Sequence, residues 1–218
     1  MPNCVNGIEL PGMPVEEHHI LPNGVEVIFY PDTHKYVVNG KEVPSITTLI
    51  QDHYGNKYAA VRPEILEASA RYGTRVHAEL DQFITLRQTN PDTPITSELT
   101  EVKNYFDFVE PIYDIKPVMT ERVVVLYDRP GGNIVAAGRF DLLCLVKGIL
   151  TLADFKTTST ILKQSVSAQL NLYRIAAYQS GYIDRLDINL GVIHLSGNKS
   201  VYVPIQRFAD NFHLTFIV

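Results

Sequence analysis

Runs of apolar residues bounded by polar ones, GVEVIFYP (24–31), HKYVV (34–38) and KEV (41–43), read as short strands. Asn39-Gly40 between the last two segments predicts a two-residue hairpin, whose central positions need positive φ. PSITTLI (44–50) follows, then a polar stretch around Gly55. Pro63 suits the first turn of a helix through EILEASAR, which Gly73 is expected to interrupt. From Thr74 to about Arg87, the positions Val76, Leu80, Phe83 and Ile84 recur at helical spacing. NPDTP (90–94) reads as a loop. Ser97 reads as the N-cap of a helix that carries Val102, Tyr105, Phe106 and Val109 and ends near Pro111.

The centre of the chain changes period again. VVVLY (123–127) is β-branched and DRPGGN is a turn. IVAAGRFDLLCLV (134–146) is one long strand, which Lys147-Gly148 turns into ILTLADFK (149–156). TTST (157–160) is expected to cap a helix from about Ile161 to Gln179, with Gly181 as its stop. DINLGVIHL (187–195) and SVYVPI (200–205) read as closing strands around SGNK, and FADNFHLTFIV as a further helix start. This order is too uneven for a doubly wound or barrel fold. The predicted class is α/β, a central mixed β-sheet flanked by helices, with an N-terminal β-hairpin and helices. One domain is expected over 1–218: an N-terminal arm and hairpin (1–60), a core (61–180) and closing strands (181–218). Residues 1–20, rich in Pro, Gly and Asn, are expected to be irregular.

Composition changes this picture only a little. The 218 residues are 45% hydrophobic, enough for a real core. No apolar run approaches the roughly 18–20 residues of a membrane-spanning helix. The opening MPNCVNGIELPGMPVEEHH lacks both the pattern of a secretory signal and the arginines of a transit peptide. A reducing, cytoplasmic compartment and no membrane partner are expected. Cys4 and Cys144 are too few for a disulfide framework or a four-thiolate metal site. Cys144, inside LLCLV, reads as a small core hydrophobe. A net charge of −5 argues against nucleic-acid binding by overall charge. From Arg139 to Arg174, however, five bases (Arg139, Lys147, Lys156, Lys163, Arg174) face two acids, Asp141 and Asp154. If those acids hold a cation, the stretch attracts phosphate. Otherwise it is an ordinary solvated mixture.

Those two acids carry the candidate chemistry. Asp154 and Lys156, two apart on a strand, project from the same face, and a carboxylate beside an ammonium can serve a cation and a water. The pattern is short and occurs twice more, at Glu101–Lys103 on a predicted helix and at Asp114–Lys116 before Pro117. Counting back from the Lys147-Gly148 turn brings Asp141 to the height of Asp154 on the neighbouring strand. Two buried carboxylates side by side repel unless a cation or a proton intervenes. The alternative is a pair of core ion pairs, Asp141 with Arg139 and Asp154 with Lys156. Gln169 and Tyr173, four apart, share a helix face with Val166 and Ala176. His77 shares a face with Leu80 and Ile84 and points inward, as a core residue or a metal ligand. Glu121, expected to open the VVVLY strand, is a further acid, while His18, His19, His34, His53 and His194 have no convincing partner spacing.

In this order, GTRVH (73–77), GRFD (138–141), DFK (154–156) and QLNLY (169–173) resemble the motifs of the RecB-like branch of the PD-(D/E)XK nuclease superfamily. These are a GxxxH helix, a GxxD strand, a (D/E)xK strand and a QxxxY helix. The likeness implies a restriction-endonuclease-like core that binds Mg2+ or Mn2+ through Asp141 and Asp154, with His77 and the Phe155 carbonyl as further ligands. It implies that Lys156 positions the attacking water or stabilises the transition state, and that Gln169 and Tyr173 support the site or touch DNA. Arg75, Arg139, Lys163 and Arg174 are the candidate nucleic-acid contacts. A phosphate-binding helicase motif and a cysteine cluster are both missing, so the resemblance is to compact stand-alone enzymes of bacteria and phages. The expected activity is that of a DNA exonuclease in recombination, repair or phage DNA metabolism, working on ends as a homo-oligomer or beside a recombination partner. The rivals are an endonuclease, a non-catalytic DNA-binding module on the same fold, and a structural protein.

Overall fold

In the computed structural model, residues 4–5, 8–9, 15–55, 61–197 and 200–217 are described. Strands β1 (Cys4–Val5) and β2 (Ile8–Glu9) form a short antiparallel pair. Strands β3 (Glu17–Ile20), β4 (Glu26–Tyr30), β5 (Lys35–Val38) and β6 (Lys41–Val43) make a four-stranded antiparallel sheet in that order. The β5–β6 turn has Asn39 at φ 49 and Gly40 at φ 77, as a two-residue hairpin requires. The expectation of an irregular arm fails at Glu17–Ile20, which adds a strand to the hairpin; residues 1–3, 6–7 and 10–14 lie outside the described ones. Ser45 then caps a helix absent from the sequence reading, α1 (Ile46–Tyr54), its Oγ accepting the Thr48 amide at 3.0 Å.

The main sheet is mixed and five-stranded, in the order β11-β10-β9-β8-β7. Strands β7 (Ile115–Tyr127), β8 (Ile134–Val146) and β9 (Ile149–Lys156) form an antiparallel meander. Helix α5 (Lys163–Gln179) crosses to β10 (Asn189–His194), parallel to β9, and β11 (Val201–Ile205) closes the edge. Helix α5 starts at Lys163 with Leu162 as N-cap and no side-chain cap, so TTST does not cap it. The FADNFHLTFIV segment forms a 3-10 turn, Phe212–Phe216.

Helix α2 (Pro63–Thr89) runs unbroken through Gly73 for 27 residues, roughly 40 Å. One glycine costs a helix about 1 kcal/mol. Burying Val76, Leu80, Phe83 and Ile84 in one cluster outweighs that. The next helical run begins at Thr100 as α3 (Thr100–Asn104), continues as a π segment over Tyr105–Val109 and ends as α4 (Glu110–Ile112). Ser97 is not its cap: the hydroxyl donates to Glu79 Oε2 at 2.5 Å and accepts the Leu99 amide. Helices α1 and α5 cover one face of the main sheet. The other face is shared by α2 with the π segment and by the N-terminal sheet, which packs Val27, Phe29, Tyr36 and Val38 on Val123, Val125 and Ala137. Among the described residues no helix is long and apolar enough to cross a membrane.

Candidate metal centre

Strand register builds the centre. The pairs Thr120–Leu142 and Arg122–Phe140 bracket Glu121 and Asp141, so these acids stand opposite each other on β7 and β8. The β8–β9 pairs run from Val146–Ile149 up to Leu142–Ala153, and one further step sets Asp141 beside Asp154. Three carboxylates therefore share one rung across three adjacent strands. The paired ladder of β8 and β9 ends at Leu142–Ala153, and beyond it the Phe155 amide donates to Asp141 Oδ2 at 2.7 Å.

The pleat also changes sides there. On one side of the rung Val124, Leu126, Ala136 and Phe140 face α5; on the other it is Met119 and Leu143, while Leu142 and Cys144 pack toward α2. Glu121 lies at this reversal with φ +48, a left-handed conformation that a non-glycine residue adopts only when its surroundings impose it. It sits in the middle of β7 rather than at its start.

Helix α2 lowers His77 onto the rung. Its Nε2 lies 3.1 Å from the Phe155 carbonyl, which can only accept, so Nε2 carries a proton. Nδ1 is left facing the acids, 3.6 Å from Asp141 Oδ2 and 3.9 Å from Glu121 Oε1. The ligand atoms of His77, Glu121 and Asp141 all lie within 4.8 Å of one another. An ion about 2.1 Å from each would space neighbouring ligands about 3.0 Å apart and opposite ones about 4.2 Å. A small inward movement of these side chains meets that geometry. One imidazole nitrogen and two carboxylates could hold a divalent metal ion.

The charges ask for such a partner. Burial, with the Asp141 carboxylate beside it, pushes Glu121 up to about 8 against the pull of Arg139. Burial pushes Asp154 up to about 6, opposed first by Lys156. Lys156 Nζ lies 2.6 Å from Asp154 Oδ2. Either protons or a cation must offset the remaining repulsion.

The sequence-predicted residues divide as follows. His77, Asp141, Asp154, Lys156, Gln169, Tyr173 and Arg139 line one cleft of about 480 Å³. Glu121 joins them as a member of the three-ligand set, ahead of Asp154, which is turned to Lys156. The Phe155 carbonyl is turned to His77 Nε2. Tyr173 is buried, its hydroxyl hydrogen-bonded with Gln169 and held far above its ordinary pKa by that burial. Its ring lies over Gly138, where a Cβ would come within 2.6 Å of Tyr173 Cε1. That approach explains the glycine in GRFD.

Three of the candidate basic residues do not line that cleft. Arg174 is not a nucleic-acid contact: it is buried and donates to the Leu186 and Phe208 carbonyls and to Asp210. It holds the C-terminal segment on α5 because its position faces away from the cleft. Arg75 is exposed and paired with Glu79 at 3.0 Å, and Lys163 is exposed at the start of α5. Sequence reasoning missed Glu17, His34, Tyr36 and Asp81, which also line the cleft. Asp81, one helical turn after His77, carried a usable signal. Glu17, His34 and Tyr36 carried none, because only the docking of the N-terminal sheet brings them there.

No protein-family model and no curated protein matches the chain. Among solved structures, one described as the crystal structure of SSO0001 matches over 79% of this chain and 81% of its own, at 10% identity and a TM-score of 0.34. That likeness is too low to carry an argument about fold or function.

Proposed function

We propose that this protein is a divalent-metal-dependent DNA nuclease acting on strand ends, a hydrolase with a restriction-endonuclease-like core. The observation that carries the reading is the carboxylate rung Glu121–Asp141–Asp154, with His77 Nδ1 facing two of its members and Lys156 bonded to the third. A bound Mg2+ or Mn2+ would polarise the phosphodiester and make a water molecule acidic enough to attack it. Around that chemistry, His77, Glu121 and Asp141 hold ligand atoms in place. Asp154 fixes the Lys156 ammonium at the edge of the cleft, where it can orient water or meet the charge that grows on the phosphate oxygens. Gln169, anchored through Tyr173, offers an amide to the same space. The cleft is walled by α2 on one side and the N-terminal sheet on the other, which favours a strand end over an uninterrupted duplex. The net charge is −5, and affinity for an uninterrupted duplex comes mainly from many contacts between cations and phosphates.

The test is a time course on equal masses of linear and covalently closed circular DNA, single- and double-stranded, with Mn2+, Mg2+ or chelator. Linear DNA should be lost only with metal and circles largely spared. Asp154→Asn and Lys156→Ala should each lower the rate at least about a hundredfold while circular dichroism stays native. Full activity in either variant would remove the site from the reaction. Discrete fragments from circles at the linear rate would favour an endonuclease.

A further inference from the structure

We propose that Arg139 is a positioning residue of the metal centre, and that through it the N-terminal sheet is part of that centre. The proposal rests on the metal-binding reading above. Arg139 Nε is ion-paired with Glu121 Oε2 at 2.9 Å, which leaves Oε1 as the oxygen that faces His77 Nδ1. The other arm of the guanidinium reaches Glu17 Oε2 on β3 at 3.4 Å, and its carbon lies 4.8 Å above the Phe29 ring on β4. Glu17 and Phe29 belong to the four-stranded sheet, so one planar fork ties that sheet to the ligand rung.

The rung needs this brace. Glu121 stands opposite Asp141, and two carboxylates at that range push each other apart. Glu121 also holds a left-handed backbone in the middle of a strand. Without a partner for Oε2, the side chain can swing away from Asp141 and take the ligand oxygen with it. Arg139 holds it against that repulsion, and the bond to Glu17 and the ring of Phe29 hold Arg139.

Two effects of the guanidinium oppose each other. Its positive charge repels a divalent ion, so a charge argument alone predicts tighter metal binding once it is removed. Presentation of Glu121 predicts weaker binding. The carboxylates of Glu17 and Glu121 already offset the charge, whereas nothing else among the described contacts holds Glu121 Oε2. Presentation wins, and removing such a supporting contact typically weakens a metal site by about 10–100-fold.

The experiment measures Mn2+ binding to the full chain by titration calorimetry and by the paramagnetic signal of free Mn2+, with no DNA present. Arg139→Gln should bind Mn2+ about 10–100-fold more weakly than wild type. Glu17→Gln should lose affinity in the same direction by less. Arg139→Lys should recover only part of the loss, since an ammonium cannot span both carboxylates in the fixed geometry of a fork. In a Glu121→Gln background, Arg139→Gln should cause no further loss. If Arg139→Gln does not fold, Arg139→Lys and Glu17→Gln decide the matter by the same readout. Binding by these variants as tight as wild type or tighter overturns the proposal, as does full additivity with Glu121→Gln. Wild-type protein that binds Mn2+ with this pattern but cleaves no DNA overturns the nuclease reading alone. Wild-type protein that binds no Mn2+ overturns both.

Discussion

His77 is where a single residue decides what kind of site this is. Its Nε2 is committed to the Phe155 carbonyl and its Nδ1 is turned to two acids, so the ring is oriented before any ion arrives. A neutral imidazole contributes more to Mn2+ than to Mg2+, which prefers oxygen donors. His77→Ala should therefore weaken Mn2+ binding more than Mg2+ binding and narrow the difference between the two metals in cleavage. Comparing the two metal titrations checks this. A lower melting temperature with both titrations unchanged would make His77 a core residue only. Arg174 supplies the opposite case. A charged residue in the same stretch of sequence is spent on holding the tail, with three donated hydrogen bonds from a buried guanidinium. Arg174→Ala leaves those acceptors without their donor and should cost about 1–3 kcal/mol of stability, read from chemical denaturation. Its effect on metal affinity should be small.

At the scale of elements, two glycines from the resemblance motifs behave differently. Gly138 lies under Tyr173, and a Cβ there would also stand 3.3 Å from Ile46 Cδ1. Gly138→Ala must push α5 or the Tyr173 ring off β8, and overpacking of this kind typically costs about 1–3 kcal/mol. It should also lower activity by displacing Gln169. Gly73 is helical, and a Cβ there would stand 3.5 Å from Thr157 Oγ1, ordinary contact. Gly73→Ala should therefore stabilise α2 by about 1 kcal/mol. Any loss of activity would come from the methyl narrowing the cleft beside Lys156. Paired thermal and activity measurements on the two variants check both directions. A destabilised Gly73→Ala would mean that α2 needs the glycine for a reason its packing does not contain.

Across the whole molecule, the rung sets a conflict between stability and cation binding. Burial pushes Glu121 up to about 8 from 4.5 for the free side chain, and Asp154 up to about 6 from 3.8. Both bind protons more tightly folded than unfolded, so their contribution is present at low pH and is lost as pH rises through those windows. Metal-free protein should melt at lower temperature at about pH 8 than at about pH 6, with each kcal/mol worth about 2–4 °C in a chain of this size. Mn2+ favours the ionised carboxylates, so the rise in melting temperature it brings should be larger at the higher pH. Thermal unfolding with chelator and with Mn2+ at both pH values measures this. A metal-free protein that gains stability over that range would show that these carboxylates ionise freely.

Local chemistry accounts for much of what the chain alone reveals. Apolar, β-branched runs marked the strands of the meander. Asn39-Gly40 marked the β5–β6 turn and Lys147-Gly148 the β8–β9 turn, each pair at positive φ, which Gly and Asn adopt at little cost. Counting along a hairpin is arithmetic, so Asp141 and Asp154 could be set at one height without coordinates. The buried stripe of α2 was legible too, but its continuity through Gly73 was not, because packing rather than propensity carries the helix. Tertiary contact decided that Glu121 stands with His77 and Asp141 in the group that could hold a metal ion, since a pleat reversal and a left-handed residue turn it toward His77. The same holds for Arg139, which a sheet far away in the chain braces at the rung, and for Arg174, whose position on α5 faces the tail. Charge and spacing say what a residue can do, while its partners depend on which faces pack together, and those contacts join segments that lie far apart along the chain.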